Sequence, residues 1–242
     1  MQKLINIYGV FTTFKILGLT FLFILITLSL PFRFPNEDIE NTTEDINSIS
    51  PHEMIRDSKF YILWTCFAIA TFVGLMIIGI TGPIGEDIVG VSSSTMAFYV
   101  SLFSVFNGIG RPLFGYLSDR LGTYKVILLS YSLIFLAAIL ILFFKEGNSL
   151  IFIISFILFW MNFGGWLSIA PTLTSKLFGS KYYSQNYGIV FTAYGIGAVL
   201  GNLTSGFAKD IFGSYKYVSY PILVLILIGI IISRFMNKPS NI

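Results

Sequence analysis

Charge is what this sequence has least of. Asp, Glu, Lys and Arg make up 11% of its 242 residues, where an average soluble domain carries about 25%. With a mean hydropathy of +0.81, there is too little polar side chain to coat a soluble globule. Cysteine occurs once, at Cys66, which excludes an internal disulfide and any cysteine-cluster metal site. Histidine also occurs once, at His52, in a polar stretch, where it reads as a solvated residue. The net charge of +3 is scattered and forms no basic stripe, so there is no nucleic-acid footprint. No H-E-x-x-H, paired aspartates or Ser/His dyad lies within the apolar runs, so intramembrane enzymology has no support and no cofactor is expected.

What is present is apolar: 55% of residues are hydrophobic, with 25 Phe and 13 Tyr. A membrane-spanning helix needs about 20 apolar residues. Seven stretches qualify, at 12–32, 60–82, 95–117, 126–144, 150–173, 186–208 and 217–234. They are continuous rather than alternating, which argues against a closed β-barrel. The expected fold is therefore an all-α polytopic membrane protein of about seven transmembrane helices. Its parts are a first helix over 1–32, a polar loop over 33–59, a six-helix body over 60–234 and a tail over 235–242. The first run begins like a signal peptide, but no A-x-A-like cleavage site follows and the run is long, so it reads as a retained span. Lys15 near its end has a stem long enough to snorkel.

Residues 33–59, "RFPNEDIENTTEDINSISPHEMIRDSK", are acidic and rich in Asn and Ser, and read as a flexible loop. Asn41-Thr42-Thr43 fits a glycosylation sequon. If this loop lies inside, the inner set of cations is Arg33, Arg56, Lys59, Arg120, Lys125, Lys176, Lys181, Arg234 and Lys238. The outer set is Lys3, Lys15, Lys145, Lys209 and Lys216. The excess places the long loop and the C-terminus in the cytoplasm, and the sequon would then be silent.

The sequence also echoes itself. "GYLSDRLGTYK" (115–125) and "GFAKDIFGSYK" (206–216) both read G-x-x-x-D-x-x-G-x-Y-K. They end the third and sixth spans, so an odd number of crossings puts them on opposite sides of the membrane. Spans two to four and five to seven thus form two triplets of inverted topology. Secondary carriers recurrently use that construction, with a substrate site near the midplane between repeats.

One residue conflicts with its surroundings. Arg111 lies eight residues before Asp119 inside the third span, about 12 Å in from the helix end at 1.5 Å per residue. An arginine keeps its charge when buried, and its cost at a helix centre is at least ~2.5 kcal/mol. Ser101, Ser104, Asn107, Gly108, Arg111 and Gly115 share one small, polar stripe, expected to face inward. No acidic residue lies in any span to neutralise Arg111. A bound anion would do so, because a guanidinium grips a carboxylate bidentately. The competing reading is an interhelical strut to backbone carbonyls. "YGIGAVLG" (194–201) is not a nucleotide loop, having no strand before it. Gly197, Gly201 and Ser205 read instead as a small-xxx-small packing face, with Gly74 and Gly79 serving close packing or bending similarly. Pro171 is expected to kink the fifth span.

The stretch Gly115, Asp119, Arg120, Gly122 and Lys125 resembles the cytoplasmic loop signature of the major facilitator superfamily. Within it, "PHEMIRDSKFYILW", "GLMIIG", "NGIGRPLFGYLSDRLG", "FGGWLSIAPTLTSKLFG" and "NYGIVFTAYGIGAVLG" are similar to the oxalate:formate antiporter and monocarboxylate transporter group. The resemblance covers most of the chain after residue 50. It implies that residues 1–32 match the sixth helix of such a carrier and the rest its central loop and second six-helix half, about half a transporter with 3+3 inverted repeats. It also implies that Arg111, in an N-x-x-x-R context with Asn107, binds the substrate carboxylate. Tyr194 stands where the antiporter has a second cation, which favours a monoanion. Phe163 and Trp166 would form an aromatic wall. Asp119 and Arg120, with Lys209 and Asp210 in the second copy, would act in gating, the partner of Asp119 lying partly on the absent half. For Tyr194 and the aromatics, ordinary helix packing is the competing reading; for the acidic residues it is a solvated turn.

The implied function is a secondary carrier of small organic anions working by alternating access, in a lipid bilayer, expected to be the plasma membrane, with a companion chain supplying the other half. The alternatives are a non-transporting membrane subunit and an inactive truncated remnant. A homodimer is disfavoured by the odd number of spans.

Overall fold

The computed structural model describes residues 2–31 and 48–237. Residues 1–42 and 43–242 form two separate units. The first holds α1 (Gln2–Ser29), a long apolar helix with a break at Gly9, whose φ is +73°. Asn41 and its sequon lie outside the described residues.

The second unit contains a short helix α2 (Pro51–Met54) and six longer ones: α3 (Ser58–Asp87), α4 (Ser93–Leu121), α5 (Thr123–Leu142), α6 (Ser149–Phe178), α7 (Tyr183–Phe212) and α8 (Ser219–Ser233). No strand occurs among the described residues. By length and composition six helical segments among the described residues can cross a membrane: Ile7–Ser29, Ser58–Asp87, Thr123–Leu142, Ser149–Phe178, Tyr183–Phe212 and Tyr215–Met236. The expected third span, 95–117, is helical throughout as α4 but is not one of the six. Its serines, glycines and Arg111 dilute its apolar residues. The helix with the cation is thus the one least suited to lipid on all sides.

Of the loop expected over 33–59, residues 48–59 are described and include the short helix α2. Ser50 and Glu53 form a reciprocal capping box at the start of α2. Hydrogen bonds from the Ser50 side chain and backbone hold the Glu53 carboxyl below its ordinary range. Met54 is buried, and Asp57 caps α3 by accepting from the Lys59 amide. The Ile49 amide donates to the Phe178 carbonyl at 2.9 Å, and Asn186 Nδ2 donates to the Ile49 carbonyl at 3.0 Å. Composition marks the whole stretch as polar, but these bonds pin its last third onto the α6–α7 turn. The expected tail from 235 also begins later: Arg234–Asn237 continue as a 3-10 turn with Met236 buried.

The six helices interleave: those of one triplet, α3–α5, pack chiefly against those of the other, α6–α8, and little against one another. The broadest interfaces are α4 on α6 and α3 on α7, and each becomes the other when the triplets are exchanged. Both crossings bring backbone against backbone. A Cβ on Gly110 would run into the Met161 carbonyl, and one on Gly201 into the Phe72 carbonyl. Gly110 and Gly201 each stand five residues before the first glycine of the repeated motif, Gly115 and Gly206. Gly164 likewise meets the Asn107 carbonyl, and Gly197 meets Thr71 and the Ala68 carbonyl. Where water is scarce, small residues let helices approach and dispersion contacts hold them. The α7 stripe Ala193, Gly197, Gly201, Ser205 and Ala208 is buried throughout, as the small-residue pattern predicts.

Buried side-chain polar atoms among the described residues are hydrogen-bonded, Asn186 Oδ1 excepted. Trp166 Nε1 donates to Ser130 Oγ at 2.8 Å, Ser130 Oγ donates to Asn162 Oδ1 at 2.8 Å, and Asn162 Nδ2 donates to the Leu158 carbonyl at 2.8 Å. The Tyr131 hydroxyl donates to the Cys66 carbonyl at 2.7 Å. In an apolar interior each such group left unpaired would cost several kcal/mol, on the order of 2–7.

The close crossings make a clear prediction. Gly197→Val should lower the thermal midpoint of the detergent-purified protein, because overpacking costs about 1–3 kcal/mol. Gly206→Ala, with nothing within 4 Å of its new Cβ, should leave the midpoint unchanged or raise it. Equal midpoints for the two variants would contradict the packing described.

Candidate functional site

The exposed arc of α4 has two distinct faces. Phe98, Val105, Ile109, Leu113 and Tyr116 form an apolar one. Beside it, Ala97, Ser101, Ser104, Gly108 and Arg111 form a small, polar one, also exposed. The opposite side of the helix, with Met96, Phe103, Gly110, Phe114 and Ser118, is buried against the body of the half. Periodicity therefore places Arg111 on an open surface of this unit, not in its core. Its guanidinium has no hydrogen-bond or ion-pair partner among the described residues, so the strut reading finds no carbonyl here to support it.

Asn107 is half-buried, and its Nδ2 donates to the Trp160 carbonyl of α6 at 3.0 Å. One turn from Arg111, it fixes α4 to α6. Tyr194 on α7 is half-buried and stacks on Phe191, with centroids 5.0 Å apart and planes 9° apart. Its ring also lies 6.2 Å from Phe163 and 6.4 Å from Phe67. The Tyr194 hydroxyl has no partner among the described residues. Phe163 is buried in the space left by the missing side chain of Gly74. Phe191, absent from the sequence reading, joins this cluster and is exposed.

Trp166 does not belong to that wall. It is fully buried, lies between Phe67 at 6.2 Å and Tyr131 at 5.5 Å, and donates to Ser130. Three residues on from Phe163, it has turned into the centre of the half, where it holds α3, α5 and α6 together.

The motif residues sit at the end where α4 and α6 finish. Asp119 pairs with Lys176 of α6 at 2.9 Å, and Lys176 Nζ also donates to the Ser118 carbonyl at 2.8 Å. Among the described residues, the partner of Asp119 is thus Lys176, on α6 of the same unit. The expected counterpart, Asp210, is exposed with no partner among the described residues; its neighbour Lys209 pairs with Asp87 of α3 at 3.0 Å. The two bridges occupy matching places at opposite ends with the charges exchanged between helices. Both are open to solvent, so each is worth about 0.2–1 kcal/mol: a breakable latch. Arg120 lies over the Tyr116 ring, 5.3 Å from its centroid. Gly122, at φ +80°, turns the chain from α4 into α5, a conformation that favours glycine. Gly115 is half-buried beside Ser168, and Lys125 is exposed.

A cleft of about 510 Å³ opens at this same end, lined by Asp119, Thr172, Ser175, Lys176, Ser180 and Tyr183, with Pro171 at its wall. α6 continues through Pro171 to Phe178. Neither Lys176 nor the cleft was legible beforehand, since no spacing in the sequence joins residue 119 to residue 176.

The sequence model of the Major Facilitator Superfamily matches residues 3–202 and, in an overlapping placement, 63–241. The chain is 28% identical to the oxalate:formate antiporter of Oxalobacter formigenes over 83% of its own length and 48% of the relative's. It is 27% identical to an uncharacterized MFS-type transporter, YhjX, of Escherichia coli (81% and 49%), and 27% identical to monocarboxylate transporter 14 of Mus musculus (71% and 33%). It spans about half the length of the curated relatives it matches most fully. The chain belongs to the major facilitator superfamily and is an integral, multi-pass, all-α membrane protein.

The division of α4 can be read directly in native membranes. Cysteines placed at Ser104, Gly108 and Arg111 should react with a water-soluble maleimide at least tenfold faster than cysteines at Val105, Ile109 and Leu113. The native Cys66 is buried and contributes no background. Equal rates on the two faces would show that the polar stripe does not meet water.

Proposed function

We propose that this chain is the substrate-gripping half of a secondary carrier for small organic monoanions, working by alternating access. The observation that carries the reading is Arg111: a permanent cation on the polar face of an intramembrane helix, with no acidic partner among the described residues. A carboxylate would neutralise it through two parallel charge-assisted hydrogen bonds. Asn107 would act as a positioning residue by tying α4 to α6 beside Arg111. Tyr194 would offer its free hydroxyl, and Phe163 with Phe191 an apolar wall. One cation suits a monocarboxylate better than a dianion. The names of the relatives, an oxalate:formate antiporter and a monocarboxylate transporter, support a carboxylate substrate.

The polar face of α4 would meet a second half, from a longer form of this protein or a companion chain. Seven cations of the second unit lie at the end with Asp119 (Arg56, Lys59, Arg120, Lys125, Lys176, Lys181 and Arg234), against Lys145, Lys209 and Lys216 at the other. That excess favours a cytoplasmic placement for the Asp119 end, in the plasma membrane.

Arg111→Gln and Arg111→Lys should both abolish formate or acetate exchange in vesicles. Losing two charge-assisted bonds of about 1.5 kcal/mol each is roughly a hundredfold in affinity, and a lysine supplies the charge without the fork. Unchanged exchange in either variant would overturn the assignment of Arg111.

A further inference from the structure

The cleft at the end of α4 stands apart from the residues just assigned, yet two features lead from it toward them. On α4, Arg111, Gly115 and Asp119 follow one another at i, i+4 and i+8 along a single face. On α7, an aromatic ladder starts at the cleft wall. Tyr183 stacks on Tyr187 (5.8 Å, 2°), Tyr187 meets Phe191 (5.6 Å), and Phe191 stacks on Tyr194 (5.0 Å, 9°). From Tyr183 to Tyr194 is about 16 Å of helix, and from Asp119 to Arg111 about 12 Å, at 1.5 Å per residue. Both routes therefore begin at the cleft and reach a similar depth.

The lining suits an anion. Lys176 carries three donors; Ser118 O and Asp119 Oδ1 take two of them, leaving one for an incoming acceptor. The hydroxyls of Thr172, Ser175, Ser180 and Tyr183 have no hydrogen-bond partner among the described residues, and all four border the cleft. The first turn of α7 begins here with no side-chain cap, so its amide end adds positive potential. Asp119 alone opposes an anion, and its bridge to Lys176 is exposed enough to exchange partners readily.

We infer that this cleft is a peripheral binding site for a small carboxylate, with Lys176 as its ligand, from which the anion passes toward Arg111. The inference rests on the proposed carboxylate function but assigns a separate, sided site. Lys176 holds Asp119 when the cleft is empty and turns its third proton, or releases the bridge, when an anion arrives. An anionic lipid headgroup offers the same oxyanion chemistry and is the competing source.

The test uses the whole chain in vesicles of neutral phosphatidylcholine, with a cysteine in place of the exposed Ser180. Its rate of reaction with a negatively charged thiosulfonate is compared with that of an uncharged one. Millimolar formate should slow the charged reagent several-fold. Lys176→Gln should remove both the preference for the charged reagent and the protection. Asp119→Asn, which frees the lysine, should strengthen both, whereas a merely structural bridge would make the two variants behave alike. Arg111→Gln should leave the protection intact, so that failure of the inner site and failure of this one are read separately. Rates indifferent to formate and to Lys176 would overturn the inference. So would protection by vesicles containing phosphatidylglycerol without any by formate, which would assign the cleft to lipid.

Discussion

A guanidinium that cannot give up its proton, set in a helix that must lie among apolar neighbours, is the constraint on which this structure turns. Everything around Arg111 accommodates it. α4 is the one long helix of the second unit too polar to qualify as a span by composition. Ser101, Ser104 and Gly108 gather on the arginine's face, while Phe98, Val105, Ile109 and Leu113 keep to the adjoining one. The charge is held on an open surface with no partner among the described residues, where the proposed anion would neutralise it.

Rigidity behind that face comes from close packing. The glycines at the α4–α6 and α3–α7 crossings bring backbone carbonyls into contact with the opposing helix. The Trp166–Ser130–Asn162 chain fastens the interior without an unpaired polar atom in it. Charged contacts are confined to the ends. The Asp119–Lys176 and Asp87–Lys209 bridges are exposed and weak, and lie at opposite ends of the pseudo-symmetric half. A stiff wall with loose electrostatic ends suits a body that rocks as a unit, the motion expected for alternating access.

Much of this was legible in the sequence because apolar length and helical period are local properties. The helices, the inverted repeat marked by Gly115–Lys125 and Gly206–Lys216, and the packing role of Gly197 and Gly201 all follow from spacing along one chain. What the spacing could not show were contacts between distant residues. Lys176 reaches Asp119 across 57 positions of sequence, a pairing that no local spacing reveals. Phe163 and Trp166 look alike on a helical projection, yet α3 and α5 close over Trp166 and not in the same way over Phe163. Within the expected loop, a capping box and one buried methionine build the short helix α2, a detail that the polar composition of the stretch does not reveal.

The central claim is that a single fixed cation selects a singly charged partner. The most direct test is a calorimetric titration of the purified protein with formate and with oxalate at neutral pH. The account predicts saturable binding of formate, weaker binding of oxalate, and a gain in oxalate affinity when Tyr194 is replaced by lysine. Oxalate binding as tightly as formate to the wild-type chain, or no saturable formate binding at all, would contradict it.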